Sequence, residues 1–168
     1  MSIENDAALP SLVVLISGSG SNLQSLMDAI SAGRMAARIA AVISNKADAY
    51  GLQRATQASI PTQIIYHTHF AGREAFDQAL QQCIDQFKPD LVILAGFMRI
   101  LTADFVRHYS RKMLNIHPSL LPLYKGINTH QRVLDDKARE HGVSLHFVTP
   151  ELDGGPVIMQ AKVPVLPS

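Results

Sequence analysis

Apolar residues recur along this chain in two periods, and the alternation between them predicts the fold class. SLVVLIS (11–17) is a short, β-branched run that stops at GSGSN, after which LQSLMDAI carries apolar residues at helical spacing. The unit is strand, glycine turn, helix. RIAAVIS (38–44) reads as a second buried strand, followed by NKADAYG and the short helical stretch LQRATQAS, and TQIIYH (62–67) as a third strand. FAGREAFDQALQQCIDQF carries an amphipathic helix that stops before Lys88-Pro89, since the residue before a proline is disfavoured in helical geometry. DLVILAG (90–96) is a fourth strand, apolar on both faces. Strands that are apolar throughout and alternate with helices indicate a parallel sheet covered on both sides.

The pattern then changes. RKMLNIH is a short strand, LPLYKG a turn, and THQRVLDDKAREHG (129–142) a helix. GVSLHFVT and PVIMQAKVPV are two strands joined by the tight turn PELDGG, which reads as an antiparallel pair. The expected class is α/β: a Rossmann-like N-terminal half of parallel strands, and a mixed sheet completed by an antiparallel C-terminal pair. One domain is expected over 11–168, behind a flexible leader over 1–10.

Composition narrows the function classes. Fifteen Lys and Arg against fourteen Asp and Glu leave a formal charge of +1, which supplies no overall field for gripping nucleic acid or an anionic membrane. The single cysteine, Cys83, shares a helical face with Phe76, Leu80, Ile84 and Phe87, and reads as a small hydrophobe rather than a reactive thiol. MSIENDAALP lacks the basic and apolar regions of a signal peptide, and no apolar run approaches a membrane span. A cytoplasmic protein is the default expectation.

In an open α/β sheet, ligands bind beyond the carboxyl ends of the strands. Four features are expected on that edge: GSGSN (18–22), GFMRIL (96–101), NIHPS (115–119) and PELDGG (150–155). GSGSN offers backbone N–H groups and the Ser21 hydroxyl at a helix start, where an anion such as phosphate is favoured. It lacks the third glycine of a dinucleotide fingerprint, no acid follows the second strand to hold a ribose, and the Lys-Ser/Thr pair of a P-loop is absent. In LNIHPSLLP, strand alternation puts Asn115 and His117 on one face and Leu114 and Ile116 on the other. A carboxamide can donate to an oxyanion, and an imidazole can exchange a proton near neutrality. Either role competes with a satisfied structural histidine, and the residues alone leave both open. Asp153, in LDGG, caps its own turn unless it lies beside His117, where it would stabilise the imidazolium. His67 and His69 have no cysteine or acidic cluster to complete a metal site, so no metal is expected. His108, His130, His141 and His146 read as isolated. Arg99 is either a carboxylate-binding cation or a solvated one.

SGSGSN, SNKADAYG, LAGFMRIL, NIHPSLLP, HFVTPELDGGPVI and QAKVPV together resemble the glycinamide ribonucleotide formyltransferase family, in the same order from about 12 to 167. The resemblance implies the formyltransferase fold and transfer of a formyl group from 10-formyltetrahydrofolate to the amine of glycinamide ribonucleotide, in purine synthesis. It implies that Gly20, Ser21 and Asn22 hold the substrate phosphate. Arg73, Met98, Arg99, Ile100 and Leu101 would line the folate pocket, closed by Thr149, Pro150, Glu151, Leu152 and Asp153. Asn115, His117 and Asp153 would be the catalytic trio, with Asn115 also against the folate. The folate arrives as a cosubstrate, so no bound cofactor is implied, and a monomer or weak homodimer is expected. The family continues past the last strand through an acidic loop and helix, so the resemblance implies a C-terminal segment beyond Ser168 that contributes to the amine-substrate site. The rival readings are a 10-formyltetrahydrofolate hydrolase, a methionyl-tRNA formyltransferase and a non-catalytic folate- or nucleotide-binding domain. The first two would need a further domain, before or after the catalytic one.

Overall fold

The computed structural model describes residues 9–167 and is organised by one seven-stranded sheet in the order β3-β2-β1-β4-β5-β6-β7. β1 (Ser11–Ile16) lies inside it with every residue buried, paired in parallel with β2 (Arg38–Ser44) and β4 (Leu91–Leu94). β3 (Thr62–Ile64) extends the parallel run on one side and β5 (Met113–His117) on the other.

Two apolar layers explain why the central strands carry no polar alternation. Val13, Leu15, Ala41, Ile43, Val92 and Leu94 face one layer, whose helical side is Phe76, Leu80 and Ile84 of α3 (Arg73–Gln86) with Phe105 and Val106 of α4 (Ala103–His108). Val14, Ile16, Val42 and Ile93 face the other, formed by Leu23 and Met27 of α1 (Ser21–Ser31) and Leu52 and Ala55 of α2 (Tyr50–Gln57). Alternate residues of one strand thus serve two cores, and both faces must be apolar. Cys83 is half-buried against the first layer, and that burial raises its thiol pKa.

The structure differs from the sequence reading in three elements. The helix expected over 129–142 is α5 (Thr129–Asp135) alone. Lys137 takes a left-handed φ of 51°, and the chain from Glu140 is already β6 (Glu140–Phe147), paired antiparallel with both β5 and β7 (Val157–Pro164). Pairing of Glu140 and His141 with β7 outweighs the helix propensity of KAREH. α4 carries no long periodic stretch and goes unpredicted; it starts where the Thr102 hydroxyl accepts the Phe105 amide at 3.3 Å. β3 ends at Ile64, three residues early, and a single 3-10 turn over His67–His69 follows. The leader expected over 1–10 falls mostly outside the described residues, although the Pro10 carbonyl already accepts the Arg38 amide at 2.9 Å.

Because α3 covers the centre of the sheet through completely buried side chains, Leu80→Ala is expected to cost about 2–5 kcal/mol in a urea unfolding titration.

Candidate active site

Strand order reverses between β1 and β4, and the crevice beyond their carboxyl ends is where ligands collect in sheets of this kind. An open cleft of about 320 Å³ lies there, lined by residues 17–22, Lys46 and the turn after β4 at Ala95, Gly96 and Met98. Three loops meet in it through Ser17, whose buried hydroxyl donates to Asn45 Oδ1 at 2.6 Å and accepts the Met98 amide at 2.8 Å. The glycine loop is held from behind by α2. The Gly51 amide donates to Gly18 O at 3.0 Å, and Arg54 Nε donates to Ser19 O at 2.8 Å. Gly20 begins α1 in left-handed geometry (φ 73°), and a Cβ on it would stand 2.5 Å from the Gly51 Cα. Only glycine fits that approach. Ser21 and Asn22 follow, exposed to the cleft at the first turn of α1, where backbone N–H groups have no intrahelical acceptor.

The second half of the site lies on β5 and β6. Asn115 and His117 share the sheet face that Met113 turns to the first core layer, while Leu114 and Ile116 pack against the second. His117 is 5% exposed. Its Nδ1 is 3.5 Å from Asp153 Oδ1 and its Nε2 is 2.9 Å from the Tyr124 carbonyl, so both ring nitrogens face acceptors. Both can donate only when the ring carries two protons. Asp153 reaches this position in left-handed geometry (φ 51°), and its Oδ2 accepts the Gly126 amide at 2.8 Å. The residue after it in the turn, Gly154, is followed by Gly155, where a Cβ would collide with the Phe147 carbonyl. The loop carrying Tyr124 is tied down by buried Ser144, which donates to Ser119 O at 2.7 Å and accepts the Leu121 amide at 3.0 Å. The Tyr124 hydroxyl donates to Asp136 at 3.0 Å, which raises the phenol pKa above its usual value.

Comparison with known proteins gives this arrangement a family. The formyl transferase model matches residues 11–168. Phosphoribosylglycinamide formyltransferase of Escherichia coli is 57% identical over 154 residues, which are 92% of this chain and 73% of that protein. The structure of phosphoribosylglycinamide formyltransferase from Coxiella burnetii superposes with a TM-score of 0.90 at 56% identity, over 95% of this chain and 74% of that one. Glycinamide ribonucleotide transformylase 1 from Symbiobacterium toebii gives 0.92 at 40% identity, over 99% and 79%. The chain belongs to the formyl transferase family.

Within this formyl transferase fold, Asn115, His117 and Asp153 converge, and Gly20, Ser21 and Asn22 form one wall of the cleft beside Met98. Arg99 lies with its guanidinium 4.5 Å from the Phe76 ring centroid, Ile100 is exposed, and Leu101 packs against the first core layer. Thr149, Pro150, Glu151 and Leu152 form the loop leading to Asp153, where Glu151 pairs with Lys125 at 3.6 Å. Arg73 opens α3 exposed and makes no hydrogen bond or ion pair with the other expected site residues among those described.

Two placements differ from the sequence reading. PELDGG does not extend from the carboxyl edge of β5: β6 runs antiparallel, with Phe147 opposite Leu114, so the turn begins at the amino end of β5 and folds back over the face to bring Asp153 to His117. His146, read as isolated, is 2% exposed at the centre of the site. It sits opposite Asn115 in the strand register, its Nδ1 donates to Phe147 O at 3.0 Å, and its Nε2 therefore accepts from Asn115 Nδ2 at 3.1 Å. Asp153 Oδ1 lies 4.0 Å away. The register of an antiparallel β5–β6 pair was the signal that could have found it.

Gly20→Ala is expected to destabilise the protein by about 1–3 kcal/mol through its left-handed φ and the contact with Gly51, measured by denaturant unfolding.

Proposed function

We propose that this chain transfers the formyl group of 10-formyltetrahydrofolate to the primary amine of glycinamide ribonucleotide in de novo purine synthesis. The observation that carries the reading is a buried histidine held between a carboxylate and a backbone carbonyl, beside an asparagine whose orientation is fixed by His146. Sequence similarity to proteins named for this activity supports it.

The amine nitrogen attacks the formyl carbon, and negative charge gathers on the formyl oxygen. Asn115 spends one amide hydrogen on His146 and keeps the other for that oxygen. His117 Nε2, which faces the Tyr124 carbonyl at 2.9 Å, offers its N–H to the same oxygen, a stronger acceptor than a neutral carbonyl. Each such donor contributes about 3 kcal/mol to the transition state. Asp153 holds the charged ring in orientation through Nδ1. The proton lost by the attacking nitrogen moves to N10 of the folate, the C–N10 bond breaks, and a formamide and tetrahydrofolate leave. Gly20, Ser21 and Asn22 hold the phosphate at the start of α1, while Arg73, Met98, Arg99, Ile100, Leu101 and the loop from Thr149 to Asp153 take the folate. Folate is a cosubstrate, and neither metal nor bound cofactor enters a step. The setting is the cytoplasm.

The test follows tetrahydrofolate release with and without glycinamide ribonucleotide. Release that requires the amine is expected, and His117→Ala should lower kcat/KM by about 10²–10⁴-fold. Release independent of the amine would assign a hydrolase instead. Folate binding with no release at all would assign a binding module.

A further inference from the structure

Asp77 of α3 is 2% exposed, yet no step described so far uses it. One carboxylate oxygen accepts the Thr102 amide at 2.7 Å, while the other is buried without a partner. A carboxylate removed from water and given a single hydrogen bond is a costly way to hold one amide, which a neutral side chain could accept as well. Native structures leave few polar atoms in this condition, and those they leave tend to mark function.

The amide that Asp77 holds closes the segment 97–102. The other end is held in the same manner, by Ser17 Oγ on the Met98 amide at 2.8 Å. Two side chains from distant parts of the sequence therefore pin two amides four residues apart. Between the pins stand two large apolar side chains, Met98 and Ile100, 70% and 62% exposed on a backbone held at both ends. Arg99 turns the other way, with its guanidinium over Phe76, the neighbour of Asp77, and its Nε is buried and unpartnered. Asp77 thus keeps a spare carboxylate oxygen and Arg99, over the adjacent Phe76 ring, a spare nitrogen, and no ion pair between them occurs among the described residues.

We propose that Asp77 is a positioning residue for the folate cosubstrate. It fixes the backbone of 97–102 so that Met98 and Ile100 present an apolar platform, and its charge keeps the Arg99 guanidinium drawn against α3. The inference rests on the formyl-transfer reading above. If Asp77 served only to support the start of α4, its loss would lower stability and leave the affinity for folate unchanged.

The experiment compares wild type, Asp77→Ala and Asp77→Asn, measuring kcat and the separate KM values for 10-formyltetrahydrofolate and glycinamide ribonucleotide. Asp77→Ala is expected to raise the folate KM about tenfold, with kcat and the amine KM within about twofold of wild type. Asp77→Asn keeps an acceptor for Thr102 but loses the charge, so it should recover part of that loss. Should Asp77→Ala fail to fold, Asp77→Asn decides the matter by a raised folate KM alone. A folded variant with an unchanged folate KM, or with both KM values raised equally, overturns the proposal. If wild type itself shows no amine-dependent release, the formyl-transfer reading fails. Titration with tetrahydrofolate then tests Asp77 separately, and equal Kd values for wild type and Asp77→Asn overturn its role.

Discussion

A carboxylate 3.5 Å from a buried imidazole is the contact on which the second half of this molecule depends. Neither group leaves water cheaply, and removing one partner of a buried pair is more damaging than never having built it. The fold therefore supplies several fixtures for one contact. Asp153 accepts a left-handed backbone, collects the Gly126 amide, and so joins the loop after β5 to the turn after β6. Ser144 ties the first of those loops to the sheet, and Gln160 on β7 donates to both the Leu121 carbonyl and Ser144. The antiparallel pair looks like a departure from the parallel plan, and it is what makes the fold-back possible. Because β6 runs antiparallel, the turn after it starts beside Leu114 at the amino end of β5 and must return along the sheet to reach His117.

The first half works by a different physics. Its cleft stands at the reversal of strand order, where the ends of β1 and β4 leave room, and its walls are backbone rather than side chain. Gly20 packing on Gly51 brings α2 close enough to brace the loop, and Arg54 reaches the Ser19 carbonyl from behind. Ser17 joins this wall to Met98, so the glycine loop and the exposed apolar segment share one anchor. The two halves meet where β4 and β5 pair, with Leu94 opposite Asn115.

What could be read from the residues depended on the range of the interaction. The apolar strands and glycine turns of the first half are local signals, and they placed β1, β2, β4 and the cleft correctly. Asn115 and His117 were legible as a pair because strand alternation is a two-residue rule. α4 escaped because six residues held by a Thr102 cap and tertiary packing leave no periodic trace. The end of α5 was hidden for the reverse reason, since KAREH favours a helix until β7 claims Glu140 and His141 for pairing. His146 could not be valued without the register that sets it against Asn115, and Asp77 could not be valued without the hydrogen bond that crosses from α3 to Thr102. Long-range pairing, not composition, separates these histidines and acids from their bland counterparts.

Asp153 is expected to act through His117 and not by itself. A double-mutant cycle tests it: kcat/KM for amine-dependent formyl transfer in wild type, His117→Ala, Asp153→Ala and the double variant. If the two residues form one unit, the double variant loses no more than about twofold beyond the worse single variant, because the ring that Asp153 orients is already gone. Losses that multiply, so that the double variant shows the product of the two single effects, would contradict it.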